Sequence, residues 1–227
     1  MAGSPMCNHY RTLDLKIIEW LRESVETAEE RGWVPQPEAW PKAEMPVVFQ
    51  AGQRTLGTMR WGVWPEYEKT LPARPLVNAR DDSLLTKATW KGAAARGRCL
   101  VPADGFYEWC GPAGGKWEVL FELKERKPFF FAGVWSRDPV GEGRGFALVT
   151  GRPNELVAAL PHDRMPVILD EAGARAWMGD RPLAADRLMA LCAPYPAERM
   201  TRTDQAKAAR NAGGTIEVER VEQGELF

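Results

Sequence analysis

From residue 46 onward, apolar and polar positions mostly alternate with a period of two, which is typical of strands half buried in a sheet. Glycine or proline clusters bound most of these segments, and GPAGG (111–115) and PVGEGRG (139–145) are predicted hairpin loops. The alternation predicts strands over 46–49, 55–64, 98–101, 106–109, 117–123, 129–134, 146–150 and 166–169.

Helical spacing appears in fewer places. Leu13, Ile17, Trp20, Leu21 and Val25 recur at three- and four-residue intervals and predict a helix over 12–30 that ends before Gly32. Shorter helices are predicted over 82–90, 154–160, 171–178 and 184–191.

The order of these elements is irregular and does not repeat a strand–helix–strand unit. This order predicts an α+β fold with a mainly antiparallel sheet or open barrel, flanked by short helices. The connections are short, so residues 7–227 are predicted to form a single domain. Residues 1–6 (MAGSPM) are interpreted as a leader or an expression remnant.

Composition narrows the class of protein. With 227 residues, 44% hydrophobic and 27% charged, the chain has the balance of a globular protein. It has neither an apolar run of roughly 20 residues nor a secretory signal, so we expect a cytoplasmic protein with no membrane association. Its four cysteines and two histidines lack the paired spacing of a zinc site. We therefore expect no metal, no other cofactor and no disulfide framework.

Charge is nearly balanced overall, at −1, but it is uneven along the chain. The segment from residue 74 to residue 98 contains six basic residues and only two acidic ones, Asp81 and Asp82, so its local charge is +4. Such a patch suits a restricted phosphate contact better than the coating of a long duplex, although a solvated mixed-charge surface explains it equally well.

The most unusual chemistry lies at Cys7, which follows Met6. If residues 1–6 were removed, Cys7 would carry a free α-amine beside its thiol. The amine condenses with an aldehyde to an imine, and the thiol then closes a five-membered thiazolidine. The α-amine has an ordinary pKa of about 8 and is partly neutral at physiological pH. A cysteine near a terminus nevertheless often has no role.

Three further segments carry candidate groups. In PLVNARDDSLL (75–85), Asn78 offers a donor and an acceptor and Arg80 suits a phosphate, although a turn residue and a surface arginine explain them as well. In CLVPADGFYEWC (99–110), alternation places Phe106 and Glu108 on one strand face. Burial there would raise the pKa of Glu108, whereas a position at the solvent boundary would not. In ALPHDRMPVIL (159–169), His162 precedes Arg164 in a turn and is either a proton shuttle or a structural histidine.

Taken together, these segments resemble the SRAP family, the SOS response-associated peptidases. The resemblance extends from residue 6 to residue 170. The matching pieces are Met6-Cys7, RWGVWP (60–65), VNAR (77–80), CLVPADGFYEW (99–109), AGVW (132–135) and HDRMPVIL (162–169).

The resemblance implies an α+β fold around a barrel-like β-sheet and a role in DNA damage repair and the SOS response. It implies that Cys7 forms a covalent thiazolidine cross-link with the ring-opened sugar of an abasic site in single-stranded DNA, which shields the lesion. The activity would be lyase-like and self-consuming, with an autopeptidase (hydrolase) step that removes residues 1–6. No cofactor is implied, and we expect a monomer.

The resemblance also implies a role for each site residue. Asn78 would position the amine and the sugar, Glu108 would be the acid–base group, and His162 would assist sugar opening and proton transfer. DNA contacts are expected from Arg80 and Arg164 on phosphates and from Trp64 and Trp61 on an exposed base.

The chain departs from the family after the cysteine, where Asn8-His9 stands in place of the usual Gly-Arg and Arg11 follows two residues later. His9 would place a second imidazole near the site. Two alternatives stay open: a thiol autopeptidase or peptidase that uses Cys7 with His162 as base, and a non-covalent single-stranded DNA binder that uses its arginines and tryptophans.

Overall fold

The structure is a computed structural model that describes residues 7–12, 27–28, 37–65, 67–68, 75–112, 115–139, 143–179, 183–205 and 220–221. The predicted leader lies outside these residues. So does almost all of the predicted helix over 12–30, but Thr27–Ala28 within it forms a short strand that pairs in parallel with a barrel strand. Within the described residues no helix is long and apolar enough to cross a membrane.

Most of the described chain is β-structure, as the alternating pattern predicts. The strands are β1 (Tyr10–Arg11), β2 (Thr27–Ala28), β3 (Glu38–Ala39), β4 (Glu44–Ala51), β5 (Gln53–Trp61), β6 (Asn78–Arg80), β7 (Arg98–Ala103), β8 (Gly105–Cys110), β9 (Trp117–Leu123), β10 (Phe129–Arg137), β11 (Arg144–Gly151), β12 (Met165–Pro166), β13 (Ile168–Leu169), β14 (Met200–Gln205) and β15 (Arg220–Val221).

Helices are short and lie mainly around the sheets. They are α1 (Asp81–Leu84), α2 (Ala88–Arg96), α3 (Glu155–Ala158), α4 (Glu171–Trp177) and α5 (Ala185–Leu191), with a 3₁₀ turn at Ala197–Arg199. Asn154 and Asp170 cap α3 and α4, since each side chain accepts a bond from a backbone N–H in the first turn.

Five of the strands form a closed barrel, in the order β11-β10-β7-β4-β5. Neighbouring strands are antiparallel until β5 returns to β11 in parallel, where Gly145 faces Arg60 and Phe146 faces Trp61. A Cβ at Gly145 would lie 2.2 Å from the Gly62 carbonyl oxygen, so this seam tolerates only glycine. The predicted α+β fold with a mainly antiparallel, barrel-like core is therefore confirmed.

Two apolar layers hold the barrel together. The inner layer joins barrel residues such as Phe49, Phe131 and Phe146 to Phe106 and Phe121 of a second sheet. The outer layer packs the other barrel face against α1, α2, α4 and α5. At its centre the Trp177 indole donates to the Cys99 and Gly133 carbonyl oxygens.

The second sheet, in the order β15-β14-β9-β8-β1-β3, brings the start of the chain into the molecule. β1 lies between β8 and β3, with Tyr10 opposite both Phe106 and Ala39. Because β1 begins three residues after Cys7, this pairing fixes where the cysteine lies. The segment from Cys7 to Arg11 is thus built into the second sheet.

Several predicted boundaries are wrong for identifiable reasons. The predicted strand over 55–64 ends at Trp61, because Gly62 takes a φ of 140° where the chain leaves the barrel. The predicted helix over 82–90 is split into α1 and α2. The predicted strand over 166–169 is interrupted at Val167, although its N–H and C=O still bond the neighbouring strands.

Candidate functional site

The candidate site, called the Cys7 site below, consists of Cys7, Asn78, Glu108 and His162. Cys7 is 1% exposed, and its backbone nitrogen lies 3.1 Å from Oε1 of Glu108, to which it donates a hydrogen bond. The amide of Asn78 donates to the Cys7 carbonyl oxygen at 3.1 Å. Both sides of the cysteine backbone are therefore held by side chains distant in sequence.

Glu108 lies on β8, and the alternation of that strand directs it to the same face as Phe106. It is 1% exposed, and burial raises the pKa of its carboxyl group from 4.5 to about 8, against the opposing effect of the Cys7 N–H bond. At neutral pH the group is therefore mostly protonated. A buried carboxyl that exchanges its proton near pH 7 suits general acid–base chemistry.

His162 lies on the other side of the Glu108 carboxyl group from Cys7. Its Nε2 lies 2.8 Å from the carbonyl oxygen of Trp109, which can only accept, so Nε2 carries a hydrogen. Its Nδ1 is 3.4 Å from Oε2 of Glu108. In the neutral tautomer Nδ1 is an acceptor facing the carboxyl proton. Oε1 thus faces the cysteine nitrogen, and Oε2 faces the imidazole.

The Cys7 thiol is chemically quiet in this environment. Burial first, and the nearby Glu108 second, raise its pKa well above the ordinary value. A thiolate of the kind that cysteine peptidases use is therefore disfavoured here.

Asn78 reaches the Cys7 site from the short strand β6, and not from the turn that the sequence left open as an alternative. β6 pairs in parallel with β11, so that Asn78 lies opposite Leu148 and Arg80 lies opposite Thr150. Asn78 contacts Cys7 while Arg80, on the same face of the strand, is exposed. The four residues expected to act together are thus brought together from four separate segments.

The two arginines expected to contact phosphate lie beside each other but are engaged by acids. Arg164 is buried and bonds Asp81 and Asp82, each at 2.9 Å. Arg80 is exposed and bonds Asp82 at 2.6 Å. These four residues are called the arginine–aspartate cluster below.

The two tryptophans expected to stack on a base are buried, which corrects that part of the expectation. Trp61 is fully buried in the inner layer, and its indole donates to the Val77 carbonyl oxygen. Trp64 is 6% exposed, and the Arg60 guanidinium lies 3.5 Å from the centre of its ring. In this conformation neither ring presents a face to a DNA base.

His9 lies outside the Cys7 site. Its ring is stacked between Trp40 and Tyr107, with ring centroids 3.8 and 4.1 Å away, and its Nδ1 is 2.7 Å from Glu118. Arg11 bonds Asp104 and Glu122, and these bonds raise its pKa further. Both residues anchor the N-terminal segment to its neighbours. The sequence shows that His9 lies near Cys7 in the chain, but no pattern near it predicts the two aromatic rings that stack on it.

Among the residues described, no group of three or more His, Cys, Asp or Glu side chains is arranged to hold a metal ion. The polar groups of the Cys7 site contact one another and the backbone. What they offer is a buried nitrogen, a thiol and a proton relay.

The fold and this site define a small α+β barrel protein with a buried cysteine held beside a carboxyl–imidazole pair. The family model for SOS response associated peptidase (SRAP) matches residues 6–210, and the chain belongs to that family.

Relatives with curated names share this assignment. The chain is 32% identical over 160 residues to "Abasic site processing protein YoqW" of Bacillus subtilis, covering 68% of this chain and 70% of that one. It is 28% identical over 213 residues to "Abasic site processing protein HMCES" of Gallus gallus, covering 78% of this chain and 61% of that one.

Solved structures support the fold. A protein from Bacteroides thetaiotaomicron superposes with a TM-score of 0.76 at 20% identity, covering 88% of this chain and 92% of that chain. A protein from Bordetella bronchiseptica gives 0.72 at 24% identity, covering 87% and 99%.

Proposed function

We propose that this protein recognises abasic sites in single-stranded DNA and, once residues 1–6 are removed, forms a thiazolidine cross-link through Cys7. The observation that carries the proposal is the position of the Cys7 nitrogen, 3.1 Å from a buried carboxyl group that is itself beside His162. Relatives named for abasic-site processing support the choice of lesion.

The chemistry needs two bonds to one carbon. The free α-amine of Cys7 adds to the aldehyde carbon of the ring-opened sugar, and loss of one water gives the imine. The thiol sulfur then adds to the same carbon while its proton reaches the nitrogen, which closes the five-membered ring. The aldehyde, whose β-elimination would break the strand, is consumed. The net change is the loss of one water, and no oxidant or cofactor takes part.

The Cys7 site supplies the proton transfers for these steps. Glu108 in its protonated form donates to the hydroxyl that leaves as water, and its carboxylate then accepts the thiol proton. His162 exchanges that proton through Nδ1, and in this proposal it also protonates the sugar oxygen as the ring opens. Asn78 holds the carbonyl of Cys7, which keeps the amine and the thiol in one orientation.

The electrostatics of the site favour this order of bonds. A thiol whose pKa is raised reacts slowly by itself, whereas an imine formed on the same residue places the electrophile within ring-closing distance. Arg80 and Arg164 would contact phosphates beside the lesion. Trp61 and Trp64 have no part in this proposal because both are buried.

The test is a denaturing gel of protein beginning at Cys7, mixed with labelled single-stranded DNA that carries one abasic site. A heat-stable, slow-migrating band is expected with abasic DNA and not with undamaged DNA. It should be absent with Cys7→Ala and with the form that keeps residues 1–6. No band with the Cys7-first protein, while DNA binding persists, would reject the cross-link and leave the non-covalent binder or the peptidase.

Self-cleavage before Cys7 is a second candidate because the nitrogen bonded to Glu108 is also the leaving group of the Met6–Cys7 peptide bond. The Cys7 thiol would attack the Met6 carbonyl carbon as its proton passes to the Glu108–His162 pair, and Glu108 would protonate the nitrogen as the C–N bond breaks. Water would then hydrolyse the thioester to the Met6 carboxylic acid and the free Cys7 thiol. Mass spectrometry of purified protein should show loss of residues 1–6, and Cys7→Ala should retain them. Retention in both proteins would count against self-processing.

A further inference from the structure

The arginine–aspartate cluster pairs the arginines expected to meet DNA phosphate with acids of the same protein. Arg80 bonds Asp82 through both Nη2, at 2.6 Å, and Nε, at 3.2 and 3.3 Å. This fork-to-carboxylate geometry is the one a guanidinium would offer to two phosphate oxygens. A phosphate and the Asp82 carboxylate therefore compete for the same donors.

The members of the cluster differ in how firmly they are held. Arg164 and Asp81 have side chains only 6% and 11% exposed, so their pair is fixed. Arg80 and Asp82 are 46% and 51% exposed, so the Asp82 carboxylate can release Arg80 and turn toward solvent or toward its second partner, the buried Arg164. Asp82 is thus the exchangeable acid of the cluster.

The surrounding charges make this exchange matter. Asp163 also acts on Arg80, and Lys87 also acts on Asp82. Together with the four cluster members, these residues are three acids and three bases, so the formal charges of these six residues cancel. An arginine pair without these acids would attract any phosphate chain.

We propose that Asp82 is an exchangeable counter-ion of Arg80 that DNA phosphate displaces, and that it determines specificity by keeping affinity for undamaged single strands low. The bound phosphate replaces a carboxylate already present, so backbone contact alone gives little net affinity. Retention then depends on what only a lesion supplies, the aldehyde that Cys7 captures. This inference rests on the proposed function in taking single-stranded DNA as the ligand.

The experiment measures binding of a labelled, undamaged single-stranded oligonucleotide by fluorescence anisotropy for the wild type and Asp82→Asn. Losing the competing charge should lower Kd by about twofold to fivefold, the range expected for one exposed ion pair. The slope of log Kd against log salt concentration should also become steeper, by up to about one. In the wild type the phosphate displaces the tethered carboxylate of Asp82, whereas in Asp82→Asn it displaces a mobile anion that is released into solution.

Glu171→Gln is the matched control, since it removes the same charge from another exposed acid–arginine pair, with Arg175 on α4. It should change Kd by less than about twofold. In an Arg80→Gln background, most of the gain from Asp82→Asn should disappear. A gain no larger than that of Glu171→Gln, or one kept in full without Arg80, would overturn the inference.

Cross-linking of abasic DNA by the Cys7-first protein is scored separately, which keeps the two proposals distinguishable. Tighter binding by Asp82→Asn without any cross-link would support the counter-ion and reject the thiazolidine. A cross-link with no effect of Asp82→Asn on Kd would support the thiazolidine and reject the counter-ion. If no variant binds single-stranded DNA, the counter-ion proposal is wrong.

Discussion

Glu108 gives a quantitative test of the Cys7 site that needs no DNA. The change is Glu108→Gln, which keeps the shape of the side chain and removes its titration. Burial raises the pKa of the folded-state carboxyl from 4.5 to about 8. The folded protein therefore holds a proton that the unfolded chain releases above about pH 4.5. The resulting stabilisation is complete below that pH and is lost as pH rises through about 8.

The magnitude follows from the width of that window. Each pH unit between the two pKa values lowers the free energy of unfolding by about 1.4 kcal/mol, so the full window corresponds to about 5 kcal/mol. Water entry and rearrangement around the ionised group reduce what is measured. Between about pH 6 and about pH 8 we expect the wild type to lose about 2 to 3 kcal/mol relative to Glu108→Gln.

The assay is urea unfolding of both proteins followed by tryptophan fluorescence across this pH range. Other titrations are common to both proteins and largely cancel in the difference. The Cys7 thiol does not interfere, since its pKa lies well above the window. Glu171→Gln, an exposed acid on α4, should give a curve parallel to the wild type. If Glu108→Gln also runs parallel to the wild type, Glu108 is ionised throughout and the acid–base assignment fails.

Two further substitutions test the thiol and the core. In protein beginning at Cys7, Cys7→Ser keeps the amine but should form only an imine with abasic DNA. A denaturing gel should detect this imine after borohydride reduction and not after heating alone. A heat-stable band without reductant would exclude the thiazolidine. Trp61→Ala removes a fully buried ring at the barrel seam and should lower the free energy of unfolding by about 3–5 kcal/mol in urea titrations. Tyr67→Ala, at a residue 62% exposed, should lower it by less than about 1 kcal/mol, and similar losses for the two would contradict the burial of Trp61.

Local alternation was enough to predict the barrel strands, because each has one face in the inner layer. It was also enough to place Glu108 on the same strand face as Phe106, but not to show that this face is buried. The same reasoning applied to β5 would have shown Trp61 as a core residue, since it shares its face with the buried Met59. The expectation of base stacking for Trp61 followed the family resemblance and overlooked this phase.

Contacts between distant segments were beyond the sequence. β6 is three residues long and becomes a strand only because β11, far along the chain, pairs with it. Arg164 meets Asp82 across 82 positions, and the aromatic rings around His9 come from two other strand regions. Such pairings depend on how the barrel and the second sheet assemble, which no local pattern encodes. The sequence motifs identified the candidate chemical groups, whereas the fold determined which groups contact one another.

The burial of Cys7 also bears on how long the protein stays chemically intact before it acts. Oxidants and disulfides consume cysteines as exposed thiolates, and this sulfur is neither exposed nor readily ionised. If Cys7 forms the proposed cross-link, each molecule reacts once, so a thiol that resists oxidation beforehand stays available for that reaction. The buried pocket therefore protects the thiol until a reactant reaches the amine of Cys7.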